Sequence, residues 1–285
     1  MKLREAKIFF FTGLQNIIEP RELEAMWRVI TDEVLHMDPV DALLREEEEV
    51  AGFFPTKLEL IVRRLQQGEP LQYIVGTARF HGHSFTVTPA VLIPRPETEQ
   101  LVDIVVDENP GTDLQVLDMG TGCGCIAIAL ARALKFPMVT GIDNSGPALM
   151  VARENANTLK AKVRFVQADM LALGHEVPGP WDIIVSNPPY VCESEAPTME
   201  RHVLDHEPHN ALFVPDEDPL KFYKAIARHG QQTLADGGRL YLEINRRFGN
   251  EVAQLLTHLG YTEVCVRKDF VGNPRFVTAT LHDEN

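Results

Sequence analysis

Basic charge is scarce in this sequence. Lysine and arginine number 27 against 41 aspartates and glutamates, for a formal net charge of -14. That balance argues against a broad electrostatic grip on a DNA or RNA backbone and leaves room only for a local basic patch. Cysteine is scarce too: the four residues are Cys123, Cys125, Cys192 and Cys265. A C-x-C pair without a histidine cluster matches neither a zinc-ligand spacing nor a dense disulfide framework. No metal is expected, and the thiols read as reduced, as in a cytosolic compartment. Apolar runs of membrane-spanning length are missing. The N-terminal "KLREAKIFFFTGL" has too short an apolar run for a secretory signal, an acid (Glu5) within its basic region and no small-residue cleavage site after it. There is no internal repeat. A soluble, cytoplasmic protein is the expectation.

What is present divides in texture. Residues 1–72 read as a helical domain. In "ELEAMWRVITDEVL", Leu23, Met26, Trp27, Ile30 and Val34 share one face of a helix. Thr56 and Glu59 have the spacing of a capping box, opening a helix that ends near Gly68. The acid run Glu46 to Glu49 reads as a solvated helix face. Residues 73–92, with β-branched and aromatic segments around "HGH", predict a two-stranded hairpin as linker. Residues 93–285 alternate short apolar strands with helical stretches. The first five strands, "LQVLDMG", "MVTGID", "KVRFVQAD", "WDIIVSN" and "GGRLYLEI", have connections long enough for crossover helices. The last two, "EVCVRKDF" and "RFVTATLH", are joined by a link too short for one and so predict an antiparallel pair. The fold class is α/β: a parallel sheet with one reversed strand near its edge.

Two stretches carry chemistry. "VLDMGTGCGCIAIALA" sets Gly120, Gly122 and Gly124 between a strand and an Ala-rich helix, where a ligand can approach the backbone and meet helix N-terminal N–H groups. Cys125 stands where a dinucleotide fingerprint has its third glycine, which weakens a nicotinamide reading. Asp143 closes the second strand about twenty residues further on, where an acid can accept from ribose hydroxyls. Asp169 closes the third strand, with Met170 beside it as an apolar cover for a purine ring. Either acid alone could be a turn former or a helix cap. Together, at the carboxyl ends of consecutive parallel strands, they describe a crevice for a ligand with adenosine at one end.

"WDIIVSNPPY" brings Asn187 to the same edge. The Asn187 side-chain carbonyl and the Pro188 carbonyl, the latter fixed by constrained φ angles, make two converging acceptors. Two acceptors suit a planar NH₂ group: they bind both hydrogens and aim the nitrogen lone pair at an electrophile. Tyr190 can stack on the group that carries it. S-adenosylmethionine (SAM) supplies both an adenosine and an electrophilic methyl. Positioning is then the main task of the protein, and the lack of a histidine in the segment is consistent with that.

The assembled blocks "GEPLQYIVGTARFHG", "LIPRPETEQLV", "VLDMGTGCGCIAIALA", "SNPPY", "HEPHNALF", "LYLEI" and "KDFVGNPRFV" resemble, in order, those of the HemK/PrmC-type N5-glutamine methyltransferases. The resemblance runs from about Gly68 to the C-terminus. It implies a seven-stranded, Rossmann-like SAM-dependent methyltransferase domain with a small N-terminal helical domain and a hairpin linker. It also implies that the substrate is the glutamine of the Gly-Gly-Gln loop of class 1 peptide chain release factors. Carried over by motif, Gly120, Thr121, Gly122, Cys123, Gly124, Asp143, Met170 and Asn187 would contact the cofactor, and the strand-end reading adds Asp169 to them. Asn187, Pro188, Pro189 and Tyr190 would hold the glutamine amide, with Asn187, Pro188 and Tyr190 as the catalytic group. The helical domain is the candidate for partner docking, and a monomer without nucleic-acid or membrane contacts is expected. Departures from the family pattern fall at Asn245, Phe248, Pro215, Pro219 and Met170. Arg95, Glu97, Glu99 and Glu207 are candidates to line the substrate opening, although capping and ion pairing explain them equally well. Two other readings share parts of the pattern. One is an N6-adenine nucleic-acid methyltransferase, which would need a basic groove; the other is a non-catalytic SAM-binding protein, which would not need N-P-P-Y.

Overall fold

The computed structural model describes residues 1–174 and 176–282. They fall into two units, Met1–Thr77 with Glu200–His206, and Ala78–Met199 with the chain from Glu207 onward. Among the described residues no helix is long and apolar enough to cross a membrane. The four cysteines are free thiols.

The first unit is helical: α1 (Leu3–Leu14), α2 (Pro20–Leu35), α3 (Pro39–Leu44), α4 (Phe54–Gln66) and α5 (Leu71–Val75). Leu23, Trp27, Ile30 and Val34 of α2 are buried, with Met26 half-buried against them, as the periodicity requires. Trp27 sits among Phe10 and Phe54, with ring centroids 5.7 and 6.5 Å away. Three local expectations are corrected here. Thr56 caps nothing: α4 opens two residues earlier, with Pro55 in its first turn and no side-chain cap, because Phe54 is drawn fully into the core. The run Glu46 to Glu49 is not helical; it lies in an exposed turn where Lys2 and Arg4 pair with Glu47, and Arg45 with Glu48. Tyr73 belongs to α5 rather than to a strand, since burial of Leu71 and Tyr73 favours a helical turn, which Gly76 closes at φ 86.

The second unit starts with the hairpin β1 (Thr77–Phe80) and β2 (His83–Thr86), whose first residue still belongs to the first unit. After α6 (Pro96–Glu108) come β3 (Gln115–Met119), α7 (Cys125–Ala133), β4 (Met138–Asp143), α8 (Gly146–Thr158), β5 (Val163–Gln167) and β6 (Trp181–Ser186). The short strand β7 (Val191–Cys192) follows, then α9 (Arg201–His206), which lies in the first unit, and β8 (Phe213–Val214). The chain ends with α10 (Lys221–Thr233), β9 (Leu234–Glu243), α11 (Gly249–His258), β10 (Thr262–Lys268) and β11 (Pro274–Leu281). Seven strands form one sheet in the order β10-β11-β9-β6-β3-β4-β5, with β11 antiparallel to both neighbours. The parallel pairing of β7 with β8 was not expected; two residues carry too little pattern to announce a strand.

Apolar side chains of the central strands divide between the two faces. In β6, Ile183 and Val185 enter one core and Ile184 the other; in β3, Val116 opposes Leu117 and Met119. Burial on both faces is why these strands read as unbroken apolar runs. Because β4 and β5 extend one side of β3 while β6 and β9 extend the other, the sheet has its switch point between β3 and β6. Ligands of open parallel sheets bind outside the carboxyl ends of the strands at such a point.

Candidate active site

The turn after β3 is built on positive φ. Gly120, Gly122 and Gly124 have φ of 81, 55 and 84°, where a side chain strains the backbone. The amides of Gly120 and Thr121 donate to the Ile142 carbonyl, at 2.9 and 2.8 Å, tying the turn to β4. A Cβ on Gly120 would come within 2.9 Å of Met170 Cε, whereas one on Gly122 would meet nothing within 4 Å. The chain approaches open space there.

Asp143, at the end of β4, accepts the Gly122 amide on Oδ2 and the Ser145 amide on Oδ1, both at 2.9 Å. Each oxygen keeps a lone pair. Burial pushes the Asp143 carboxyl up, and the amides work against it. Asp169 lies two residues past the end of β5 rather than closing it, is exposed, and accepts the Leu171 amide at 2.9 Å.

These groups face one cleft with an open mouth, concave and mixed in polarity as small-molecule sites are. Gly120, Gly122, Asp143, Asp169, Met170, Asn187 and Pro189 all line it. Of the other positions singled out in the sequence, Thr121 and Cys123 are buried behind the turn. Gly124 begins α7, where a Cβ would press on Ile128, Ala152 and Phe165 at 3.1–3.2 Å. Pro188 is buried and Tyr190 half-buried beside the cleft. Val91, Leu92, Asn210 and Phe222 also line it and were not anticipated; Leu92 opens the "LIPRPETEQLV" block and Asn210 falls inside "HEPHNALF", but the other two carried no signal.

The N-P-P-Y loop is anchored at both ends. Ser186 Oγ donates to the Met119 carbonyl at 2.5 Å, locking the end of β6 to the end of β3. Asn245 Nδ2 donates to the Tyr190 carbonyl at 3.0 Å and to Glu195 at 2.8 Å, so this departure from the family pattern is a buried clamp on the loop. Asn187 Nδ2 donates to Thr98 Oγ1 at 3.2 Å, and Thr98 Oγ1 donates to Glu243 Oε2 at 2.7 Å. Tyr190 Oη donates to the other oxygen of Glu243 at 3.1 Å. Burial pushes the Tyr190 hydroxyl up, and the Glu243 charge adds to it. Of the four candidates for the substrate opening, Arg95 pairs with Glu207 at 2.6 Å, and Glu207 also accepts the Ile93 amide at 3.3 Å. Glu97 and Glu99 stand in the first turn of α6. None of the four lines the cleft.

Beneath the turn, Asp118 is wholly buried. Its Oδ2 accepts from Thr121 Oγ1 at 2.6 Å and the Ala127 amide at 3.2 Å, while its Oδ1 has no partner among the described residues. Burial pushes this carboxyl up to about 7, with the nearby Asp143 charge adding to it. An aspartate in an unfolded chain titrates near 3.9, at about 1.4 kcal/mol per pKa unit. Between about 4 and 7 the folded protein therefore holds a proton that the unfolded chain has released, so stability is fullest below that window and falls as pH rises through it. Asp118→Asn removes the titration. Thermal melts from pH 4 to 8 should show wild type losing Tm relative to the variant as pH rises; parallel curves would contradict this account of Asp118.

A glycine turn after β3, an acid ending β4, a second acid two residues past β5, and the N-P-P-Y loop after β6, gathered at the switch point, are the makings of a SAM-dependent methyltransferase. The residues present fit that ligand, with open space at Gly122 for a close approach and free lone pairs on Asp143 for hydroxyls. The chain is 45% identical over 267 residues to a release factor glutamine methyltransferase of Bacteroides thetaiotaomicron, covering 94% of this chain and 96% of the relative. It is 36% identical to one of Flavobacterium psychrophilum, with 97% and 98% covered. The chain belongs to the release factor glutamine methyltransferase family. Residues 12–76 match the PrmC N-terminal domain, and residues 97–212 the methyltransferase small domain. A solved methyltransferase from Pyrococcus furiosus shares the fold with a TM-score of 0.53 at 19% identity, over 70% of this chain and 89% of its own.

Proposed function

We infer that the protein transfers a methyl group from SAM to the side-chain amide nitrogen, N5, of the glutamine in the Gly-Gly-Gln loop of class 1 peptide chain release factors. The observation that carries this reading is the anchored Asn187. Its NH₂ is occupied by Thr98, which leaves the side-chain carbonyl to accept. SAM supplies, when bound, a methyl on a positively charged sulfur. The protein's part is to bind and orient. Gly120, Thr121, Gly122, Cys123 and Gly124 form the turn that admits the ligand; Asp143 and Asp169 accept from its hydroxyl groups; Met170 covers its ring. Asn187 Oδ1 and the Pro188 carbonyl take the two N5 hydrogens, while Pro189 and Tyr190 hold the amide plane. An amide nitrogen is a poor nucleophile, so fixing it in line supplies much of the rate. Charge disperses during transfer, which favours a site with little water.

An adenine N6 would satisfy the same two acceptors. The net charge of -14 favours a protein substrate over a nucleic acid. The deciding experiment incubates the protein and labelled SAM with an intact release factor, with its loop Gln→Ala variant, and with DNA. Label should enter the intact factor alone; label in DNA, or in the Gln→Ala variant at full rate, overturns the reading. The enzyme is read as a cytoplasmic monomer, with residues 1–72 docking the partner, 73–92 as linker and 93–285 as the catalytic domain. Support for docking comes from α3, which buries no residue and exposes Val40, Leu43 and Leu44. Replacing Leu43 and Leu44 by glutamate should raise KM for the release factor roughly tenfold, the size of a modest interface contact, with SAM affinity unchanged. Equal effects on both would count against docking.

A further inference from the structure

Asn187 can serve as an acceptor only if its amide is the right way round. Turned over, it would present NH₂ to the substrate NH₂, donor against donor. The two orientations differ little in shape, so hydrogen-bond partners must choose between them. In this fold the choice is made by two residues remote in sequence, Thr98 on α6 and Glu243 at the end of β9, exposed by only 2% and 1%.

We propose that Thr98 and Glu243 are positioning residues that set the amide orientation of Asn187, and thereby the polarity of the site toward the substrate NH₂. This proposal rests on the glutamine-transfer reading. The Thr98 hydroxyl has one proton, and Glu243 Oε2 takes it at 2.7 Å. Both Glu243 oxygens receive a hydroxyl donor, Thr98 on one and Tyr190 on the other, which is the acceptor-only pattern of a carboxylate, so the Thr98 proton is committed to Glu243. Toward Asn187, Thr98 Oγ1 can then only accept, and at 3.2 Å it receives Nδ2. The carbonyl oxygen of Asn187 is left for the substrate. Burial pushes the Glu243 carboxyl up, and three groups work against it: Thr98 donates to one oxygen, Tyr190 donates to the other at 3.1 Å, and Arg275 on β11 brings a positive charge. Arg275 is itself fixed by Asp269 at 3.2 Å. One carboxylate thus orients Asn187 through Thr98 and anchors Tyr190 directly, so both ends of N-P-P-Y take their geometry from it.

A glutamine at position 243 has nearly the same shape but can donate. With its oxygen kept toward Tyr190, its NH₂ faces Thr98, and the Thr98 proton is released toward Asn187. Asn187 then turns its carbonyl to Thr98 and its NH₂ to the substrate. Glu243→Gln should lower kcat about 100-fold, the scale of a lost preorganised polar contact, with KM for the release factor and SAM affinity within about threefold. Thr98→Val removes the relay without reversing it, and a single lost hydrogen bond predicts about a tenfold fall. Thr98→Ser keeps the hydroxyl and should stay within about threefold of wild type, since the hydrogen bond is retained.

The double variant Thr98→Val/Glu243→Gln is the sharpest test. Without the hydroxyl the glutamine has nothing to transmit, so the double should fall no further than Thr98→Val alone. Residues that share a hydrogen bond are non-additive in any role, so the telling result is recovery: the double should regain about tenfold over Glu243→Gln alone, and a double as impaired as Glu243→Gln, or more so, overturns the proposal. An NMR arm needs no substrate: the Asn187 side-chain NH₂ protons should show contacts to Thr98 in wild type and lose them in Glu243→Gln. Persistence of those contacts in Glu243→Gln, or activity within about threefold of wild type, also overturns it. If wild type shows the contacts yet methylates no glutamine, the functional reading fails instead.

Discussion

Replacing Asn187 by alanine should abolish methyl transfer, lowering kcat by on the order of 10²–10³-fold, as loss of a single preorganised polar group does in other enzymes. SAM binding should weaken only modestly. Asn187 lines the cleft, but the turn of Gly120 and Gly122 and the acids Asp143 and Asp169 line it independently. The residue is held between β6 and α6 by backbone continuity and by Thr98, and its removal leaves the Ser186 and Asn245 anchors of the loop in place. The fold should therefore survive, with a melting temperature close to wild type. Single-turnover transfer to an intact release factor, with calorimetric titration of SAM, separates the two effects. Activity within a few-fold of wild type would sink the two-acceptor account.

Asp143→Ala should act on the other substrate. Both carboxylate oxygens of Asp143 accept backbone amides, from Gly122 and Ser145, so the side chain shapes the turn as well as lining the cleft. Hydrogen bonds to a charged group contribute about 1.5–3 kcal/mol each. Losing the hydroxyl contacts and relaxing the Gly122 backbone together predict a SAM dissociation constant raised by roughly 100-fold or more. At saturating SAM, kcat should recover most of its value, because Asn187 and its anchors lie after a different strand. Isothermal titration and a SAM concentration series test this; an unchanged dissociation constant would remove Asp143 from the binding site. The contrast between the two variants, one failing in transfer and the other in binding, is what a site divided between β4 and β6 requires.

Much of this site is legible in the sequence because its demands are local. A turn with three positive φ angles calls for glycine at Gly120, Gly122 and Gly124. A strand that ends in Asn-Pro-Pro can go no further as a central strand. Strands buried on both faces must be apolar throughout, so β3 and β6 announce themselves, and Asp143 follows where β4 stops. Boundaries fared worse where packing outweighed local preference: Phe54 drew the start of α4 past Thr56, and Tyr73 was taken into α5.

The sequence by itself determined the ends of β4 and β6, the glycine turn and the N-P-P-Y loop, since each is set by backbone conformation within a few residues. Only the tertiary structure decided which groups meet. Thr98 reaches Asn187 across 89 positions and Glu243 across 145, contacts that exist because the sheet places β6 between β3 and β9 and because α6 brings Thr98 to the strand ends. No local pattern marks Thr98 or Glu243, as a threonine near a helix start and a glutamate ending a strand are ordinary residues. The orientation of Asn187, on which the proposed chemistry depends, is fixed by neighbours that only folding supplies.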